Sequence, residues 1–449
     1  MSFPRYQSYK DSGVEWLGEV PGHWNVKRLK QACHVFPSNV DKKSHDGETA
    51  VNLCNYTDIY YNETITTDME FMAATASTDQ IAKFTLRAGD TIITKDSETA
   101  DDIAIGAYVP TDLPGVICGY HLSMVRPMAD TNGAFVKRLF DSTYVKSCVA
   151  VRANGLTRVG LGQYEIDNLE LPFPPIDEQT QIAAFLDRET AKIDGLVAEQ
   201  RRLMELLKEK RQAVISHAVT QGLNPNAPMK PSGIEWLGNV PEHWEARTIA
   251  KASTKITNGF VGPTRDILVD DGTPYIQATH IKNGRVNFDD GYFVRPEWSA
   301  AHAKSILCEG DVLIVQTGAG TGDVGLVSAN EVGYNCHALI IVAPDKSLLH
   351  GTFLSAVLQS TYGQEKLTSI ETGAMHPHLN CGEVKFVEIP LPPLDEQTEI
   401  VAYINRTASQ FDTLTAEAQR AIALLQERRT ALISAAVTGQ IDVRRLASC

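Results

Sequence analysis

The hydrophobic positions of this chain fall into two regimes. Between Leu171 and Gln221, apolar residues recur every three or four places: Ile182, Phe185, Leu186, Ile193, Leu196, Leu203, Leu207 and Val214. Such steps put one apolar seam along a helix. After Pro174 and Pro175 no proline occurs until Pro225, so nothing in the stretch breaks the pattern. Asp177 is the expected cap and Glu178 the expected first-turn anion, while Lys208, Lys210 and Arg211 lie toward the cation-favouring end. About 40 residues at 1.5 Å each make a helix of roughly 60 Å. A single helix with one greasy seam needs a partner, and the chain supplies it. Ile389 to Gln440 repeats the stretch 218 positions later, matching Ile182 with Ile400, Ile193 with Phe411, Leu207 with Leu425 and Val214 with Leu432.

The second regime consists of short apolar runs separated by turn residues. AVNLC, GDTIIT and GVICGYHLSMVRP in the first half, and TPYIQA, GDVLIVQTG and NCHALIIVAP in the second, predict strands of mixed α/β domains. One short helix is expected in each half, over 134–151 and 348–367. Asp11 to Trp24 returns as Pro231 to Trp244, shifted by 220, so the duplication is not confined to the helices. Trp16, Trp24, Trp236 and Trp244 are expected to anchor these segments by packing. Gly89-Asp90 matches Gly310-Asp311, Asp102 matches Asp323, His121 matches His337, and Gly155 matches Gly373. Between these landmarks the halves share little. Gly222 to Gly233 reads as a linker. The predicted order is a domain at 1–170, a long helix at 171–221, the linker at 222–233, a second domain at 234–388 and a second long helix at 389–442.

Composition narrows the function. With 43% hydrophobic and 21% charged residues among 449, the chain is an ordinary globular protein. It has no apolar run of 18 and no secretory signal pattern, so a cytoplasmic location and no membrane partner are expected. None of its eight cysteines forms a CxxC pair, which argues against a zinc ribbon or a disulfide framework. The net charge is −14, and none of the four main segments is basic. Any nucleic-acid contact must therefore use local patches or a partner's charge.

Catalytic motifs are scarce. Gly320, Gly322 and Gly325 form a GxGxxG, but the following GLVSANEVGYN reads as a return strand, so a hairpin is expected. His376, His378 and Cys381 fall short of a metal set, and the sister segment GLTRVGLG has no histidine. No metal site is expected. There is no GxxxxGK[ST], HExxH or GxSxG, nor the Asn/Asp-Pro-Pro-aromatic motif of adenine methyltransferases.

The paired EWLGEVPGHW and EWLGNVPEHW segments, with the paired PFPPIDEQTQIAAFLD and PLPPLDEQTEIVAYIN segments, resemble the specificity subunits of type I restriction–modification systems. The resemblance covers nearly the whole chain. It implies an α+β architecture: two similar mixed α/β target recognition domains, separated by two long antiparallel helices forming a coiled coil, with a pseudo-two-fold internal repeat. It also implies that each domain reads one half of a split double-stranded DNA site. The helices would act as spacer and would dock two methyltransferase subunits, with restriction–translocase subunits joining the full complex. S-adenosylmethionine, ATP and magnesium are then expected on the partners, with no cofactor and no catalysis in this chain. The competing readings are a protein-interaction scaffold and an oxidoreductase built on the glycine trio.

Polar residues near the shared landmarks are the candidate DNA contacts, because Arg and Lys can pair with guanine and Asn and Gln with adenine. In the first domain these are Lys42, Lys43, Asn55, Tyr56, Lys95, Ser97, Arg152, Asn154, Thr157 and Arg158. In the second they are Asn258, Arg265, Gln277, Thr279, His280, Lys282, Asn283, Arg285, Gln316, Thr317, His376 and His378. The expected coiled-coil core is Ile193, Leu196, Leu203, Leu207, Phe411, Leu414, Leu425 and Leu432. The flanking faces, with Arg201, Arg202, Arg420, Arg428 and Arg429, are left for partner docking.

Overall fold

The computed structural model describes residues 3–289, 291–318, 320–373, 377–444 and 446. The chain forms two compact units, residues 1–200 with 419–449, and residues 201–418. Each unit therefore contains one mixed domain and one half of each long helix.

In the first unit, an antiparallel sheet orders Cys33–Pro37, Leu122–Pro127, Thr91–Thr94 and Gly106–Tyr108. A second sheet pairs Thr49–Cys54 in parallel with Val116–Cys118 and antiparallel with Met72–Ala76. Glu170–Phe173 pairs with Asn25–Arg28 and so ties the exit of the domain to its entrance. The second unit repeats this last pairing as Glu388–Leu391 with Glu245–Thr248. Its main sheet has six strands, in the order Ser253–Asn258, Leu339–Pro344, Val312–Val315, Val324–Leu326, Gly284–Val286 and Ile281–Lys282. The predicted hairpin at the glycine trio is present, since Val312–Val315 runs antiparallel to Val324–Leu326. Among the described residues the glycine trio runs into strand Val324–Leu326 and does not open a helix.

Each expected short helix is in fact two. Gly133–Asp141 and Thr143–Ala150 meet at Ser142, and Gly351–Gln359 and Thr361–Ser369 meet at Ser360. The hydroxyl explains the break. Ser142 Oγ donates to the Leu139 carbonyl and accepts from Val145 N–H, ending one helix and capping the next. Ser360 does the same with Val357 and Gly363. The Gly89 and Gly310 landmarks also have a packing reason. Both have positive φ, and a Cβ at Gly133 or Gly351 would collide with the carbonyl oxygen of Gly89 or Gly310 respectively.

The long helices span Ile176–Gln221 and Leu394–Val437. The first starts directly after Pro175, so Asp177 lies within the first turn rather than capping it. It ends ten residues beyond Arg211, so no base sits in its last turn. Within each unit the two half-helices pack antiparallel. In the first, Arg429 Nε donates to Asp194 at 2.9 Å, and Ile193 shares a core with Leu432. In the second, Arg211 faces Asp412, and Ile215 shares a core with Ile400 and Ile404.

The seam differs in register from the expected one. Ile193, Leu207 and Leu432 are buried and Phe411 and Leu425 half-buried, but Leu196, Leu203 and Leu414 are 47%, 42% and 46% exposed. Leu186, Thr190, Ile193 and Val197 line the first unit's seam, and Leu207 and Ile215 the second's, with Gln200 and Met204 half-buried where the units meet in sequence. The steps from 186 to 207 alternate four and three, the 3.5-residue period of a coiled coil. Thr190, Gln200 and Met204 disguise that period, and the neighbouring leucines mimic it. On the partner helix, Ala418 and Ile422 are buried where Leu414 was expected.

The paired motifs turn out to be a clasp. Glu178, almost fully buried, accepts from Trp24 Nε1 at 3.1 Å and lies 2.7 Å from His23 Nε2. Glu396 does the same for Trp244 and His243 at 3.0 and 2.7 Å. Next to each, a buried glutamine ties helix to domain. Gln179 accepts from Asn132 N–H and donates to the Pro174 carbonyl; Gln397 accepts from His350 N–H and donates to the Pro392 carbonyl. Trp24 and Trp244 are thus the expected anchors. Trp16 and Trp236 are not: each is more than half exposed.

Candidate nucleic-acid interface

The turn at 154–160 in the first unit is closed by reciprocal hydrogen bonds between Asn154 and Gly160. It lies against Asp96–Ser97, because Val159–Gly160 pairs antiparallel with that strand. The pairing brings Lys95, Ser97, Asn154, Thr157 and Arg158 together. Asp96 organises the cluster: His121 Nδ1 is 2.6 Å from one carboxylate oxygen, and Arg158 Nη2 forms an ion pair with the other at 3.0 Å. His121 holds a positive φ, which places its ring here. Lys95 Nζ lies over the exposed Tyr120 ring, 4.8 Å from its centroid. Tyr56 reaches Ser97, with its phenol pushed above the ordinary range by burial first and by nearby Asp102 and Asp96. Tyr56 stacks on Tyr60, whose hydroxyl donates to Asp102 at 2.8 Å, raising its pKa to about 12. At the tip, Leu156 is fully exposed.

The remaining candidates of this unit lie elsewhere. Lys42 and Lys43 sit in the exposed stretch between Cys33–Pro37 and Thr49–Cys54. Asn55 is buried, and its N–H donates to Asp58 at the start of helix Tyr56–Tyr60. Arg152 donates to the Cys148 carbonyl, at the end of helix Thr143–Ala150. Asn55 and Arg152 thus hold the fold together. Asp96, Tyr120 and the role of His121 were not singled out in the sequence. The only signal was the His121 landmark.

The second unit repeats the closing pair of backbone hydrogen bonds. Thr372 and His378 exchange backbone hydrogen bonds, 218 residues after Asn154 and Gly160, and Thr317 bridges His378. Leu379 N–H donates to the Gln316 carbonyl, as Leu161 N–H does to Lys95. Gln316, Thr317 and His378 therefore occupy the place of the first unit's cluster; His376 lies outside the described residues. Gln316 is itself buried. His280 is also buried, with its ring between Phe288 and Tyr292 and Nδ1 accepting from Gln277 N–H, so His280 and Gln277 support the local fold. Asn258 is half-buried at the end of its strand; Arg265 and Thr279 are exposed. Lys282, Asn283 and Arg285 form a hairpin at the sheet edge, and Asn283 and Arg285 line a cavity with residues of the long helices, apart from the Thr372–His378 pairing. An aromatic group that the sequence did not flag surrounds His337. Tyr275 hydroxyl is 3.3 Å from its Nδ1, Phe260 and Tyr275 pack edge-on to Trp298, and burial lowers the His337 pKa.

Among the described residues no group of three or more His, Cys, Asp or Glu could hold a metal ion. Nor is any described helix long and apolar enough to cross a membrane. The arrangement offers donors, acceptors and rings at a loop surface, the equipment of recognition. On the docking faces, Arg201, Arg202, Arg420 and Arg428 are exposed. Arg429 is committed within the chain, to Glu63 and Asp194.

A family model described as the type I restriction modification DNA specificity domain matches twice, over residues 21–202 and 241–423. The chain is 26% identical over 318 residues to the type I restriction enzyme EcoBI specificity subunit of Escherichia coli, covering 69% of this chain and 66% of that protein, just under two thirds. It is 22% identical over 449 residues to the putative type I restriction enzyme MjaX specificity subunit of Methanocaldococcus jannaschii, covering 98% and 99%. A solved chain from work on complex assembly and conformational transition of the type I R-M system superposes with a TM-score of 0.70 at 19% identity, covering 93% of this chain and 98% of that one. The HsdS subunit of Thermoanaerobacter tengcongensis gives 0.52 at 18%, covering 94% and 98%. At these identities the structures establish a shared fold.

Proposed function

The chain belongs to the family of type I restriction-modification DNA specificity domains, and on that premise we propose that it reads a bipartite, asymmetric DNA site, one unit per half-site. One observation carries this reading. The same backbone closure recurs on the same frame, Asn154 with Gly160 in one unit and Thr372 with His378 in the other, with Lys95, Ser97 and Arg158 near the first and Gln316, Thr317 and His378 at the second. Equal frames with unequal donors suit two unlike half-sites. Arg158 would read or position at one half, with Asp96 fixing its guanidinium and His121 bracing Asp96. The chain itself is non-catalytic in this reading. Two methyltransferase subunits would supply S-adenosylmethionine chemistry, and restriction–translocase subunits would supply ATP- and magnesium-dependent cleavage. Partners would also provide much of the phosphate neutralisation that a chain of net charge −14 lacks.

The test is to purify the chain with its methyltransferase partner and map methylated and protected positions on random-sequence duplexes. Two specified blocks separated by unspecified bases are expected. Methylation by this chain alone would refute the non-catalytic part, and a single continuous block would refute the division of labour.

A further inference from the structure

The first unit contains an internal ion network. The Glu63 carboxylate from the domain meets Arg429 on the long helix and Lys137 and Arg138 on helix Gly133–Asp141. Burial alone would raise its pKa, but Lys137, Arg429 and Arg138 outweigh that and hold it at about 2. The duplication supplies the same frame in the second unit, offset by 218. Arg211 stands for Arg429 and Asp412 for Asp194. The rest has changed. Ser355 and Ala356 replace Lys137 and Arg138, Gln359 replaces Asp141, and the Asn283–Arg285 turn that faces this position carries no carboxylate.

Smaller and neutral side chains leave a polar cavity of about 430 Å³ between that turn, helix Gly351–Gln359 and the two long-helix halves of this unit. Arg211 lies on its lining with its side chain 40% exposed, and Asp412, at 3.9 Å, is beyond hydrogen-bond reach of its Nε. Arg285 is a second arginine on the lining, so two cationic residues and one acidic residue border the space.

We propose that this cavity is a binding site for a small oxyanion, a dicarboxylate or a phosphomonoester, held by Arg211 and Arg285 in the position that the Glu63 carboxylate fills in the sister unit. The size and the two arginines suit a ligand with two anionic oxygens on one face. The sister site shows that the frame accepts a carboxylate on its helix arginine. The proposal is independent of DNA reading.

Thermal unfolding of the full chain tests it, with malonate and inorganic phosphate as probes against sodium chloride at matched ionic strength. At ten times the dissociation constant, either probe should raise the melting temperature by roughly 2–5 °C. Arg211→Gln removes the donor. Asn283→Asp keeps the shape and the left-handed backbone of Asn283 (φ 53°) but adds a like charge to the wall. Each should cut the response by at least half. No response beyond chloride in the native chain, or a full response in either folded variant, overturns the site.

Discussion

Replacing Glu178 by alanine should destabilise the first unit more than Glu396→Ala destabilises the second, although the two glutamates occupy the same place in the repeat. Trp24 and Trp244 are both fully buried, and each indole N–H has the glutamate as its acceptor. Removing the acceptor leaves a buried donor unpaired, at a cost of about 1–3 kcal/mol. The surroundings separate the two cases. The Glu178 side chain is 6% exposed, whereas that of Glu396 is 25% exposed, so water can reach the vacated place beside Trp244. His23 and His243 are partly exposed and can be rehydrated, so they add little. We expect roughly 2 kcal/mol for Glu178→Ala and about half that for Glu396→Ala. For units of this size that corresponds to losses of roughly 4–8 °C and 2–4 °C. Glu178→Gln keeps an oxygen for the indole and should recover most of the loss. Scanning calorimetry on the full chain would read the shifts. Equal losses in the two alanine variants, or a glutamine variant as poor as alanine, would refute the reasoning.

Three further outcomes follow. The Glu63 pKa is depressed in the folded chain, so its stabilisation is present above the ordinary carboxylate range near 4.5 and is lost as pH falls toward about 2; Glu63→Gln should flatten acid unfolding over that window, and an unchanged acid limb would show that the network contributes nothing. Val197→Ala should cost roughly 2 kcal/mol in denaturant unfolding while Leu196→Ala stays within about 0.5 kcal/mol, and the reverse order would restore the leucine seam. Arg158→Ala should weaken discrimination at one half-site only, by about 1–3 kcal/mol in binding competitions, whereas Lys42→Ala should reduce affinity slightly and uniformly; a uniform loss for Arg158→Ala would make it a phosphate contact.

Much of this architecture is legible in the sequence because duplication writes it twice. Two long helices, the strands and the glycine-trio hairpin follow from periodicity and from what the sister half lacks. The seam register was harder. A 3.5-residue period running through Thr190, Gln200 and Met204 looks weaker in sequence than the greasy neighbours Leu196 and Leu203. The two-helix corner at Ser142 hides because serine within an apolar stretch reads as a tolerated helical residue until its hydroxyl is seen bonding in both directions. Candidate contacts were the least legible. Residue type names a donor but not its neighbours: Asn55 and His280 are absorbed by the fold, while Asp96, an acidic residue with no evident place in DNA binding, turns out to orient His121 and Arg158.

The central claim is that each unit reads its own half of a split site. The most direct measurement is single-molecule methylation sequencing of DNA from cells carrying this chain and its methyltransferase partner, compared with cells in which residues 245–388 are exchanged for the same region of another family member. The account predicts a two-part motif in the first case and, after the exchange, a motif with one half unchanged and the other replaced. A motif that changes in both halves, or one with no gap, would contradict it.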